Sequence, residues 1–270
     1  MAFINIASVE LYYEIHGDGF PLLILNGIMM STMSWQKLIP HLEDTKVILL
    51  DLPDQGQSGE LKTLYSQEDI GKIVEKFIES LGLEKLDILG ISYGGEIAQI
   101  LSINLGDKIR KLILANTTPI TTKQLKSIGD SWLTSSKKYD GGKLFEESFP
   151  LIYSNTFYEN NSEWIVKRLK LVPDSLTQKW FDGFSRLVIS AENLNVVNRL
   201  KKITADTLII SADEDFLTPS NLQMVLEKEI ANSKRITIHK SGHASMYEQP
   251  EMFMMIVKGF LTTKRTIEVL

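Results

Sequence analysis

Short apolar runs alternate with stretches of helical period along most of this chain, and that alternation restricts its fold more than any other feature. The runs are PLLILNG (21–27), KVILLDLP (46–53), KLDILGI (85–91), KLILANT (111–117), TLIISADED (207–215) and RITIHKSGH (235–243). The first four are too short for a helix and too uniformly apolar for a strand with one wet face, so they predict strands buried on both sides, and the alternation resumes with the last two. Between them lie helical patterns at about 31–43, 66–81, 93–105, 219–230 and 250–262. The clearest is 66–81, where Ile70, Ile73, Val74, Phe77, Ile78 and Leu81 fall on one helical face. Strands that alternate with helices in this way predict a parallel sheet covered by helices.

Two segments depart from the pattern. At the N-terminus Phe3, Ile4, Ile6, Val9, Leu11, Tyr13 and Ile15 are spaced as an antiparallel strand pair ending at His16-Gly17-Asp18-Gly19. Residues 120–197 hold no clear strand but carry Trp132, Trp164 and Trp180 among several phenylalanines. The expected fold is therefore α/β. A mostly parallel central sheet of about eight strands, the first pair antiparallel, is flanked by helices. Residues 1–119 and 198–270 form the core, and 120–197 an inserted helical cap.

Composition narrows the function. The 270 residues are 43% hydrophobic and 23% charged with a net charge of −5, and no basic run marks a nucleic-acid or anionic-membrane partner. Absence of cysteine excludes disulfides, zinc–thiolate sites and thiol nucleophiles. The opening MAFINIASVELYYEIHG has no basic segment leading into an apolar one, and no run approaches the roughly 18 apolar residues of a membrane span. These features lead to the expectation of a cytoplasmic protein acting on a small molecule.

The chemistry is concentrated at Gly90-Ile91-Ser92-Tyr93-Gly94. An apolar strand ends on Ser92 and a helix begins at once. A tight strand–turn–helix thrusts the hydroxyl outward and brings neighbouring backbone too close for side chains two residues either way, hence Gly90 and Gly94. The helix N-terminus turns free N–H groups toward a developing oxyanion. A lone Gly-x-Ser-x-Gly is a weak signal; its placement between strand and helix gives it weight. A serine nucleophile also needs a base that titrates near neutrality. Of the four histidines, His243 follows the last strand and a glycine, on the sheet edge where Ser92 sits, whereas His239 lies within the strand pattern and reads as structural. The acid that orients the imidazole should follow an intervening strand. Asp213, Glu214 and Asp215 all qualify after LIIS (208–211). Asp215 is favoured because Pro219 opens the next helix four residues on, with Asp213 the alternative.

The order Ser92, Asp215, His243, with the GISYGG turn, the acid loop SADEDFLTP and the histidine loop SGHASMYEQPEMF, resembles the α/β-hydrolase superfamily over nearly the whole chain. That resemblance implies an oxyanion hole of two backbone amides, Tyr93 after the nucleophile and Ile28, with Met29 next in line, on the loop after PLLILN. Relatives often read His-Gly where this chain has Asn26-Gly27, and Asp-x-Arg-Gly-x-Gly-x-Ser where it reads DLPDQGQSG (51–59). The second loop reads as a structural loop tightened by its own hydrogen bonds, with contact of Gln55 or Gln57 to a polar substrate as the alternative. Asn26, Gly27, Met29, Trp132, Trp164 and Trp180 are candidates for the substrate pocket, with Met30 and Met33 beside them. Lys167, Arg168, Lys170 and Arg186 read as surface charge, with a substrate carboxylate or phosphopantetheine as the alternative partner. The expected activity is that of a serine hydrolase cleaving an ester or thioester of a small-to-medium apolar acyl group, with no metal or cofactor. Acyl transfer, lactone opening and carbon–carbon bond hydrolysis use the same residues, and a non-catalytic ligand-binding module is the rival of another class.

Overall fold

A computed structural model describes residues 1–171 and 176–263. Eight strands among them form one sheet in the order β1-β2-β4-β3-β5-β6-β7-β8. Strands β1 (Ala2–Ile6) and β2 (Val9–His16) are antiparallel, and β2 also runs antiparallel to β4 (Thr45–Leu50). The rest, β3 (Phe20–Leu25), β5 (Leu86–Ile91), β6 (Ile109–Ala115), β7 (Asp206–Ala212) and β8 (Ser233–Ile238), pair in parallel with β4 and with each other. This is the α/β architecture that the apolar runs predict.

Helices cover both faces because the inner strands are apolar on both, while burial alternates along the edge strands β1 and β8. On one face lie α1 (Gln67–Ser80), α2 (Tyr93–Leu105) and α8 (Ser220–Glu229). On the other lie the short α9 (Ser245–Glu248) and α10 (Pro250–Thr262). The first turn of α1 is fixed by a capping box: the Asp69 amide donates to Ser66 Oγ, and the Ser66 amide donates back to Asp69 Oδ2. Its inward stripe of Ile70, Val74, Phe77 and Ile78 is fully buried, worth about 1.5–3 kcal/mol per side chain.

Between β6 and β7 the chain forms α3 (Lys123–Ser136), α4 (Gly141–Ile152), α5 (Asn155–Asn160), α6 (Ser162–Leu171) and α7 (Gln178–Ser190). Thr122, Asp140, Ser154 and Thr177 cap the starts of α3, α4, α5 and α7 with side-chain oxygens. An isolated bridge, Ile120 to Asn195, joins the two ends of the segment. Among the described residues, no helix is long and apolar enough to cross a membrane.

Three local expectations change. Residues 31–43 form two 3-10 turns, Thr32–Trp35 and Ile39–Leu42, in place of a helix. Pro40 lacks an N–H and its ring crowds the carbonyl four residues back, which stops an α-helix from passing through. Strand β8 ends at Ile238, so His239, expected within the strand, lies just past its end. There Asp213 takes the Lys240 amide at 2.7 Å and Lys240 adopts φ 57°, which turns the chain off the sheet. Helix α9 was not predicted; four residues are too few for a hydrophobic period to register.

Candidate active site

Ser92 leaves β5 with φ 53° and ψ −119° and serves as the N-cap of α2. The crossing is so close that a Cβ on Gly90 would lie 2.4 Å from the Gly94 carbonyl oxygen, and one on Gly94 2.2 Å from the Leu25 carbonyl oxygen. No side chain fits at either place. The Ser92 amide donates to Ala115 O at 3.0 Å, and Thr117 Oγ1 donates to Ser92 O at 2.7 Å, so the turn is held from β6.

Ser92 Oγ lies 2.9 Å from His243 Nε2. The other ring nitrogen, Nδ1, lies 3.1 and 3.0 Å from the two carboxylate oxygens of Asp215. An ionised carboxylate only accepts, so Nδ1 carries the proton and Nε2 accepts from the serine hydroxyl. Asp215 is itself fully engaged: Oδ1 accepts the amides of Leu217 (3.0 Å) and Thr218 (2.9 Å), and Oδ2 accepts Thr218 Oγ1 (2.8 Å) and Asn116 Nδ2 (3.0 Å). Burial alone would push the Asp215 carboxyl up. The adjacent His243, with the hydrogen bonds from His243, Thr218 and Asn116, holds it below the ordinary value instead.

The alternative acid, Asp213, is elsewhere. It pairs with the exposed His239 at 2.9 Å and closes the turn after β8. His239 stands beyond the strand end, not within the strand.

The loop after β3 carries the proposed second oxyanion amide. Met30 N–H donates to Gly27 O at 3.1 Å, making a turn that presents Ile28 and Met29, and Gln55 Nε2 fixes the same carbonyl at 2.9 Å. A Cβ on Gly27 would be 3.4 Å from Ser92 Cβ, so this loop touches the serine. Tyr93, the first residue of α2, has no intrahelical acceptor for its amide. Its phenol, far from that amide, meets Ser190 Oγ at 2.8 Å.

A cavity of about 250 Å³ opens over Ser92, its walls largely apolar. Gly27, Ile28, Met29 and Met30 line it from the loop after β3, and Trp132, Phe145, Phe149, Trp180 and Val188 line it from the inserted helices. Trp180 stacks on Phe184 with ring centroids 5.3 Å apart. Trp180 and Val188 lie eight residues apart on α7, about 12 Å along its axis, so the cavity is elongated.

Three pocket candidates lie outside it. Asn26 is buried and structural: its Nδ2 donates to Leu50 O (3.0 Å) and its Oδ1 accepts from Trp35 Nε1 (2.8 Å). Trp164 is 38% exposed and packs edge-on against Tyr153 and Phe157 on the outer side of α6. Met33 is exposed at 68%. Arg168, read as surface charge, reaches the cavity rim, while Arg186 is tied to Asp54.

Sequence reasoning missed Asn116, Thr218, Ser245 and Glu248. Ser245 Oγ donates to Asn116 Oδ1 at 2.6 Å, turning the amide so that its nitrogen faces Asp215. Glu248 accepts the Gly242 amide (3.0 Å) and both the amide (3.1 Å) and hydroxyl (2.5 Å) of Ser154, joining the histidine loop to the inserted helices. The one visible signal was a polar residue, Asn116, directly after β6.

Comparison with known proteins identifies the fold family. The α/β hydrolase fold family model matches residues 21–250. The crystal structure of MGS-M2, an α/β hydrolase enzyme from a Medee basin deep-sea metagenome library, superposes with a TM-score of 0.96 at 34% identity, covering 100% of both chains. Among curated relatives, a 2-hydroxy-6-oxononadienedioate/2-hydroxy-6-oxononatrienedioate hydrolase of Pseudomonas putida is 24% identical over 96% of this chain and 96% of its own. A pimeloyl-acyl-carrier-protein methyl ester esterase of Wigglesworthia glossinidia brevipalpis is 26% identical over 93% and 97%. With a matching family model over most of its length and a 34% identical relative across all of it, the chain belongs to the α/β hydrolase fold family and is an enzyme of that family.

Proposed function

We propose that this enzyme is a serine hydrolase that cleaves carboxylic esters or thioesters of small-to-medium apolar acyl groups through Ser92, His243 and Asp215. The observation that carries the reading is the continuous hydrogen-bonded chain from Ser92 Oγ through both nitrogens of His243 to a buried Asp215. His243 Nε2 takes the hydroxyl proton as Ser92 Oγ attacks the acyl carbon. Asp215 stabilises the imidazolium that forms. The Tyr93 and Ile28 amides receive the negative oxygen. The imidazolium then gives its proton to the leaving oxygen or sulfur, the C–O or C–S bond breaks, and an acyl-serine remains. Water enters, loses a proton to His243 and releases the acid, restoring Ser92. The inserted helices act as a cap whose apolar walls favour an alkyl or aryl acyl group.

Hydrolysis of p-nitrophenyl esters of increasing acyl length, by wild type and by Ser92→Ala side by side, tests this. Turnover in the wild type that vanishes in Ser92→Ala is the expected result, and the chain-length optimum measures the pocket. Equal turnover by both proteins would remove the serine from the mechanism. The relative named as a hydrolase of the keto acid 2-hydroxy-6-oxononadienedioate favours carbon–carbon bond hydrolysis as a second reading, since the same attack serves a ketone carbonyl.

A further inference from the structure

The cavity is lined from α2 and from α9, which cover opposite faces of the sheet, and Ser92 lies at the edge between them. On the α9 side its walls include Ser34, Met246, Tyr247 and His243; on the α2 side they include Glu96, Thr121, Lys126 and Glu192. His243 must reach the leaving atom to protonate it, so the departing group occupies the α9 side and the acyl chain the α2 side. The apolar Val188 and Leu125 line the cavity together with one buried acid, Glu96.

Glu96 is an odd residue to find there. It is 5% exposed and sits one turn into α2, four residues past Ser92. Its only side-chain hydrogen bond among the described residues comes from Gln67 Nε2 to Oε2. Among the described residues no ion pair involves Glu96, and Lys126, which lines the same cavity, is engaged with Glu192 at 2.9 Å. A bare charge in this setting is costly, and burial pushes the Glu96 carboxyl up to about 8. Because the Gln67 amide nitrogen can only donate, Oε2 is an acceptor. In the neutral acid the proton therefore resides on Oε1, which has no acceptor among the described side chains.

We propose that Glu96 is a specificity-determining residue whose carboxylic acid donates a hydrogen bond to an uncharged oxygen within the acyl chain. The preferred acyl group is then a keto-acyl chain rather than a plain alkyl one. This rests on the serine-hydrolase reading of the same cavity, which fixes the arm the acyl group occupies. Four residues of helix advance about 6 Å, which places the favoured oxygen about four or five bonds beyond the scissile carbonyl. A carboxylate at that point is disfavoured, since Glu96 would have to neutralise it without a cation.

The test reads binding so that it does not depend on turnover. Dissociation constants for p-nitrophenyl 5-oxohexanoate and p-nitrophenyl hexanoate are measured by calorimetry on Ser92→Ala, on Ser92→Ala with Glu96→Leu, and on Ser92→Ala with Glu96→Gln. At neutral pH the keto ester binds about tenfold more tightly than the plain ester to Ser92→Ala. The preference disappears with Glu96→Leu and persists with Glu96→Gln, whose amide N–H replaces the acid proton. Raising the pH to about 9.5 abolishes the preference where Glu96 is present and leaves it intact in the glutamine variant. The other titratable groups around this arm are the Tyr93 phenol, raised by burial, and the Lys126–Glu192 pair, and all three variants share them. Equal ratios of the two dissociation constants in all three proteins would overturn the assignment. Wild-type turnover without the preference likewise rejects Glu96 and spares the hydrolase. The preference without wild-type turnover rejects the hydrolase and spares Glu96.

Discussion

Arg186 of α7 grips Asp54 on the loop after β4 with two parallel hydrogen bonds, Nη2 to Oδ1 at 2.6 Å and Nε to Oδ2 at 3.0 Å. The Asp54 side chain is fully buried, and Tyr65 Oη donates to it as well, at 2.8 Å. The pair is thus a clamp between the inserted helices and the sheet, with Glu60 adding a weaker contact at 3.2 Å. Removing the cation strands a buried carboxylate. Arg186→Ala should destabilise the protein by about 3–5 kcal/mol, read as a lowered urea midpoint. Arg186→Lys should recover little of this, because a single ammonium cannot make the two-point contact.

The Asp215 network makes a graded prediction. Asp215→Asn presents an amide to His243 Nδ1 and favours the wrong imidazole tautomer. Ester turnover should fall by about 10³- to 10⁴-fold at unchanged KM. Asn116→Ala removes only one of the hydrogen bonds to Asp215 and should cost about tenfold in kcat. The Asp215 carboxyl is held below its ordinary value in the fold. Its stabilising contribution is therefore complete above about pH 4 and is lost as the pH falls through the lower folded value. Asn116→Ala should move that acid-side loss to higher pH, observable in melting temperature.

Glu96 has the opposite sign. Its pKa stands at about 8 in the fold against an ordinary 4.5, so between those values the folded protein binds more protons than the unfolded chain. Stability declines as pH rises through that window and then levels off. Glu96→Gln cannot ionise. It should match the wild type near pH 5 and exceed it by about 3–5 kcal/mol near pH 9, measured by urea unfolding at the two pH values. An equal gap at both would mean that Glu96 is ionised throughout.

What could be read from the chain, and what could not, divides by how far the determining contacts lie in sequence. The strand runs, the stripe of α1 and the Gly90–Gly94 turn are dictated by neighbours within a few residues, and sequence reasoning recovers them. Asn26 looks like a pocket residue only when its partners are unknown; Leu50 and Trp35 claim both ends of its side chain. Trp164 shares its composition with Trp180, and only the orientation of α6 turns it outward. Glu96 sits inside a helix whose neighbours are buried all round, so no periodicity marks it. Its role depends on Gln67, 29 residues away in the chain.

The backbone of Ser92 lies in a region that only glycine enters freely, at φ 53° and ψ −119°. Holding a serine there costs on the order of 1–3 kcal/mol. Ser92→Gly should therefore melt higher than Ser92→Ala, although both lack the hydroxyl, and differential scanning calorimetry would separate them. Selection for endurance alone would erase this serine in favour of glycine. Its presence in the chain is thus a record of use, legible in a torsion angle, of a molecule kept working against its own tendency to relax.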